Sequence, residues 1–175
     1  LVNAIPAGRS YAILHQLAWH GAEEPYKALA ARGVAFDLSK KTLPSNSGKP
    51  PRTAQEVARG NDHPEFAAML DEEVAAAGAG RLRQAVAAAK EGDWGSLQDL
   101  VFPGGERGLS DDLINTIPEG STYGILHQMA YWGAQDAYTA LTARGVAFNL
   151  SVVTRNAKTA QDVARKQGHR EFAAA

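Results

Sequence analysis

The chain is written twice. Residues 1–39, opening Leu1-Val-Asn-Ala-Ile-Pro, align without a gap on residues 113–151, opening Leu113-Ile-Asn-Thr-Ile-Pro, with roughly 24 of 39 positions identical. Past Ser39 and Ser151 the first copy carries about six extra residues between Lys40 and Arg52, rich in Lys, Pro, Ser and Gly, before the copies realign at Thr53 and Thr159. An insertion of that composition marks a surface loop. A chain of 175 residues that repeats so much of itself is assembled from small units, none of which buries its own apolar face without a neighbour.

Those units read as helix pairs. Ile13, Leu14, Leu17 and Ala18 fall on one helix face, Ile125, Leu126, Met129 and Ala130 repeat the pattern, and Gly21 and Gly133 end the two helices. A second helix is expected over 24–32, with Pro25 in its first turn, Tyr26 and Leu29 facing inward and Gly33 as a left-handed terminator; its duplicate spans 136–144 and stops at Gly145. Another pair is expected over 53–59 and 65–70, repeated over 159–166 and from Arg170 onward, with Thr53 and Thr159 as N-caps. A fifth pair, 81–91 and 95–101, is broken by Gly92-Asp-Trp-Gly95. The weakly patterned 71–80 segment is either a boundary or an extension of the preceding helix. The expected fold class is therefore all-α, in two copies: residues 1–80 with two pairs and residues 81–175 with three, or one continuous array.

Composition removes several classes of function. No run approaches the roughly 20 apolar residues of a membrane-spanning helix. Eighteen Lys and Arg against nineteen Asp and Glu, scattered along the chain, form no basic stripe, so nucleic-acid binding is not expected. With no Cys there is no disulfide, thiolate metal site or cysteine nucleophile. Neither a secretory leader nor a lipidation motif is legible, and compartment is left open. Pro103-Gly-Gly105 lacks the Lys and the strand-to-helix setting of a phosphate loop and reads as a turn.

Leu14-His15, Ala18, Gly21, Leu29 and Arg32-Gly33-Val34 resemble the ankyrin repeat, whose consensus runs T-P-L-H-x-A-A-x-x-G-H and ends its second helix before Gly-Ala. Ala12-Ile13 and Gly124-Ile125 stand where the family has Thr-Pro. The later unit is closer: Thr159-Ala-Gln-Asp-Val-Ala164 followed by Gly168-His-Arg-Glu-Phe172 resembles T-P-L-D-L-A followed by G-H-x-E-apolar. The resemblance covers nearly the whole chain and implies an ankyrin-like solenoid of stacked helix-turn-helix pairs with long connecting fingers. It also implies an intracellular setting, no cofactor and no catalysis. The ends, which show no polar capping unit, read as those of an excerpt from a longer protein, or as surfaces packed on something else.

The family resemblance gives the histidines structural work. His15 and His127 sit at the motif position that ties the turn between units by hydrogen bonds, and neither has a second ligand at i+3 or i+4 on its helix. His63 and His169 occupy the Gly-His position. Asp111-Asp112 and Glu23-Glu24 read as solvated or helix-starting acids, since adjacent helical residues point about 100° apart. Tyr11 and Tyr123 are expected to staple the first helix of each copy, and Phe36 and Phe148 to pack the finger onto the stack. Lys40, Lys41, Lys49 and Arg52 form the only local positive cluster, read as a solvated loop.

Trp19-His20 and Tyr131-Trp132 fill the two variable places between the Ala of the first helix and its terminating Gly. In the family those places project into the concave groove. Each copy then offers an aromatic pair there, with Gln16 or Gln128 one turn earlier, and the partner-binding residues are expected to be Gln16, Trp19, His20, Gln128, Tyr131 and Trp132. The opposite reading puts these aromatics in the core between units. The function that follows is a protein-interaction module or scaffold with a protein partner. The alternative is a regulatory or structural segment of a larger enzyme or multi-subunit assembly with catalysis elsewhere.

Overall fold

Thr53 starts a helix because its hydroxyl accepts the Glu56 N–H at 3.4 Å while the Glu56 carboxylate accepts the Thr53 N–H at 2.7 Å. Thr159 and Asp162 make the same reciprocal box. These caps set the register of a chain that, in a computed structural model describing residues 2–44 and 50–174, contains only helices and loops among the described residues. The helices are α1 (Ile13–Trp19), α2 (Glu23–Ala31), α3 (Ala54–Arg59), α4 (Pro64–Lys90), α5 (Trp94–Val101), α6 (Asp111–Ile114), α7 (Ile125–Trp132), α8 (Gln135–Ala143), α9 (Ala160–Gln167) and α10 (Arg170–Ala174). The fold is all-α. Gly33 and Gly145 follow α2 and α8 with φ of 81° and 85°, the left-handed terminators expected of them.

Contacts divide the chain into two units, Leu1–Ala76 and Ala77–Ala175. In the first, α1 packs on α2 and α3 around Leu14, Ala18, Tyr26, Val57, Phe66 and Leu70. Tyr26 stacks on Phe36 at 5.1 Å and meets the edge of Phe66 at 5.6 Å, so the finger after α2 is held down by an aromatic. In the second unit α7 packs on α8 and α9, and α9 on α10. Its larger core runs from Leu82, Ala85 and Ala89 through Leu97 and Val101 to Ile125, Met129, Leu141 and Phe172. Tyr138 stacks on Phe148 at 5.5 Å, repeating the finger contact. Each fully buried Leu or Ile contributes roughly 1.5–3 kcal/mol of apolar transfer.

The 71–80 segment is helix throughout: α4 continues from Pro64 to Lys90. Ala is the best helix former, and no Pro interrupts the run, so Gly78 and Gly80 weaken it by only about 1 kcal/mol each. Gly78 also has a packing role, since a Cβ there would stand 2.8 Å from the Leu113 methyl. The short α6, capped by Ser110, was not anticipated. Of the insertion, residues 45–49, including Lys49 of the positive cluster, lie outside the described residues, as do Leu1 and Ala175.

Candidate functional site

Two kinds of residue recur at the same place in both copies: buried polar groups that hold the fingers, and exposed aromatics at the end of the first helix. The histidines belong to the first kind. His15 is fully buried; its Nδ1 accepts the Ala12 N–H at 3.3 Å and its Nε2 lies 3.0 Å from the Lys40 carbonyl. A carbonyl only accepts, so Nε2 carries the proton and donates. His127 Nε2 donates in the same way to the Lys158 carbonyl at 3.2 Å. Burial is the chief cause that pushes both imidazoles below their ordinary pKa, against hydrogen bonds that act the other way, so both rings are neutral at pH 7.

The necks of those fingers are closed by residues that sequence reasoning passed over. Thr42 accepts the Arg52 N–H on its hydroxyl at 3.0 Å and donates its own N–H to the Arg52 carbonyl at 2.9 Å. Thr154 does the same with Lys158, at 3.2 and 2.9 Å. In the sequence, the extra residues of the first copy fall between Thr42 and Arg52. A second clamp is made by Asn3, which donates to the Ala35 carbonyl at 3.1 Å and accepts the Asp37 N–H at 2.8 Å. Asn115 repeats it on Ala147 and Asn149, at 2.8 and 2.7 Å. Identity of these residues in both copies was the available signal. Asp111 braces the same finger by accepting the Ala147 N–H at 3.0 Å, which holds its carboxyl below the usual range.

The surroundings of the exposed aromatics differ between the copies. Trp19, Tyr131 and Trp132 are 41, 41 and 49 % exposed, and His20 is exposed as well. Tyr11 bridges His15 and Trp19, with ring centroids 6.1 and 5.9 Å away, and Tyr123 bridges His127 and Tyr131 at 5.9 and 6.4 Å. Gln16 is exposed whereas Gln128 is buried, and Ile13 is 45 % exposed whereas Ile125 is fully buried. In the second unit Ile125 shares a core with Leu82, Ala85 and Leu97 of α4 and α5; among the described residues Ile13 has no such cover.

That cover makes a cleft. Between the last two turns of α4 and α7 lies a cavity of about 590 Å³, lined by Gln128, Tyr131 and Trp132 of α7, by Arg83 and Lys90 of α4, and by the loop from Gly120 to Tyr123. Trp132 is fixed there by its indole N–H, which donates to the Lys90 carbonyl at 3.2 Å, and it meets Tyr131 edge-on at 5.8 Å and 82°. The structure thus brings Gln128, Tyr131 and Trp132 together at a concave feature, while Gln16, Trp19 and His20 lie on the exposed side of α1. No group of three His, Asp or Glu side chains placed to hold a metal ion occurs among the described residues, and no described helix is long and apolar enough to cross a membrane. Neither a scan against protein-family models nor a search of curated proteins finds a match to this chain.

Proposed function

We propose that the chain is a protein-interaction module of the ankyrin-like class, which binds a protein partner through the aromatic edge of α7 and the fingers beside it. The observation that carries this is Trp132: about half exposed, yet held in one place by a hydrogen bond to the Lys90 carbonyl. An aromatic already ordered loses little side-chain freedom on binding, and Trp and Tyr are the residues that most often dominate interface energies. Side-by-side packing of the first helices of successive pairs, α1 on α3 and α7 on α9, supports ankyrin-like stacking, and the histidine bonds to finger carbonyls support it further. The same reading includes an intracellular setting and asks for no catalysis, cofactor or nucleic acid.

The test is capture of partners from the native source by the wild-type chain, by Trp132→Ala and by Trp19→Ala, each shown by circular dichroism to be folded. A specific protein lost with Trp132→Ala places binding at the cleft, and one lost with Trp19→Ala places it on α1. Retention of every partner by both variants refutes an aromatic binding face.

A further inference from the structure

The cleft of the second unit has a charge that the chain as a whole does not. Arg83, Val86, Ala87 and Lys90 line it from α4, at i, i+3, i+4 and i+7, which is one stripe of a helix. Arg83 and Lys90 are both exposed and stand two turns apart, about 10 Å along the axis at ~1.5 Å per residue. Neither takes part in an ion pair among the described residues. No carboxylate lines the cleft; Glu91 and Glu119, next to lining residues in the sequence, are not part of it. Val86 and Ala87, between the two cations along α4, add apolar lining to the cleft together with Tyr131 and Trp132.

We propose that this cleft binds an acidic, extended peptide segment, whose carboxylates pair with Arg83 and Lys90 and whose intervening side chains rest on Tyr131 and Trp132. The proposal rests on the protein-binding reading above and names the chemistry of the partner. An extended polyproline-type chain repeats every three residues with ~3.1 Å rise, so acids three positions apart lie on one side, about 9 Å from each other, close to the spacing of the two cations. Prolines between them would be pre-ordered and suited to aromatic walls. A cavity of about 590 Å³ is within the size range of ligand sites, about 300–1,000 Å³. Two cations on a chain of net charge −1 are a poor footprint for a nucleic-acid backbone, whose binding needs a larger basic surface, but they suffice for two carboxylates.

Fluorescence anisotropy on the full chain tests this with a labelled dodecapeptide carrying two glutamates three positions apart, separated by prolines. Counterparts have both glutamates changed to glutamine or to lysine, and an unlabelled single-stranded oligonucleotide serves as competitor. The expected result is that the acidic peptide binds at least tenfold more tightly than the glutamine peptide. Its affinity falls with added salt, and Arg83→Glu with Lys90→Glu weakens it at least tenfold while helicity is unchanged. Equal binding of acidic and glutamine peptides, no binding of either, or no effect of the charge reversal overturns the proposal. So does an oligonucleotide that displaces the peptide at lower concentration than the peptide itself. If the acidic peptide fails while a natural partner is still lost on Trp132→Ala, the ligand chemistry is wrong and the protein-binding reading stands. If no partner depends on Trp132 or Trp19 either, both fall.

Discussion

The imidazole of His169 lies against the α-carbon of Gly133, so close that a Cβ at Gly133 would stand 2.6 Å from the ring's Cγ. His63 and Gly21 repeat the arrangement at 2.7 Å. These glycines therefore meet two demands at once. Their φ angles, 65° and 59°, suit a residue without a side chain, and the space where that side chain would go is filled by the histidine of the next helix pair. His169 is held there by a bond between its Nε2 and the Tyr131 carbonyl, at 3.0 Å, so the last turn of α7 and the start of α10 are joined through one ring.

Gly133→Ala is expected to destabilise the chain by about 2–4 kcal/mol, beyond the roughly 1–2 kcal/mol of the left-handed backbone alone. His169→Ala removes the obstacle, so the double variant should lose at least about 1 kcal/mol less than the sum of the two singles. Urea denaturation of the four proteins measures the coupling. Simple additivity would mean that the glycine is needed for its backbone angle only.

Stability should fall as pH drops below neutrality, through His15 and His127. Both are held below their ordinary pKa by burial, so the unfolded chain takes up protons near pH 6.5 that the folded chain does not. The stability from their neutral rings is complete above about pH 7.5 and declines through 6.5 toward the lower folded-state values. Asp111 and Asp162, held low by backbone N–H groups of Ala147 and Thr159, act in a separate acid window below about pH 4. In thermal melts from pH 8 to 5, His127→Gln should flatten the decline, although it lowers the melting temperature at pH 8. An unchanged slope in the variant would remove His127 from the account.

Asn115 distinguishes a side-chain donor from mere size. Its Nδ2 donates to the carbonyls of Asp111 and Ala147, both at 2.8 Å, and its Oδ1 accepts from Asn149. Asn115→Ala is expected to cost roughly 1–3 kcal/mol. Asn115→Asp keeps the acceptor but turns a carboxylate oxygen toward two carbonyls, so it should cost at least as much as alanine. If aspartate restores wild-type stability in a chemical melt at pH 7, the two donated bonds are unimportant.

Thr159→Ala should lower stability by about 1 kcal/mol through loss of an N-cap, and Thr159→Ser should recover most of it, because the hydroxyl that accepts the Asp162 N–H at 3.2 Å remains. The comparison is made in urea. Equal losses for serine and alanine would assign the effect to the threonine methyl.

Much of the fold was legible because its punctuation is chemical. Thr53 and Thr159 announce helix starts, Gly33 and Gly145 announce ends, and duplication lets each expectation be read twice. Tyr11, Tyr123, Phe36 and Phe148 also take the packing positions expected of them. The 71–80 run left a boundary and a continued helix equally open, because periodicity disappears where a helix is exposed on most sides. The clamps of Thr42 and Asn3 were missed because their partners are backbone groups, so that only the recurrence of Thr and Asn in both copies marks them. At the candidate site the aromatics were legible but the cleft was not: Arg83 and Lys90 stand more than 40 residues from Trp132 in the chain, and nothing local ties them to it.

The amino-acid sequence by itself determined the helix pairs, their caps and their twofold repetition, because these depend on interactions within a few residues. Only the tertiary structure decided that Gln16 is exposed and Gln128 buried, and that Ile13 is open where Ile125 is covered. Ile13 and Gln16 are matched by the same residue types at Ile125 and Gln128, so the difference does not reside in those side chains. It comes from the surroundings: Ile125 shares a core with Leu82, Ala85 and Leu97 of α4 and α5, and α4 also lines the cleft beside Trp132.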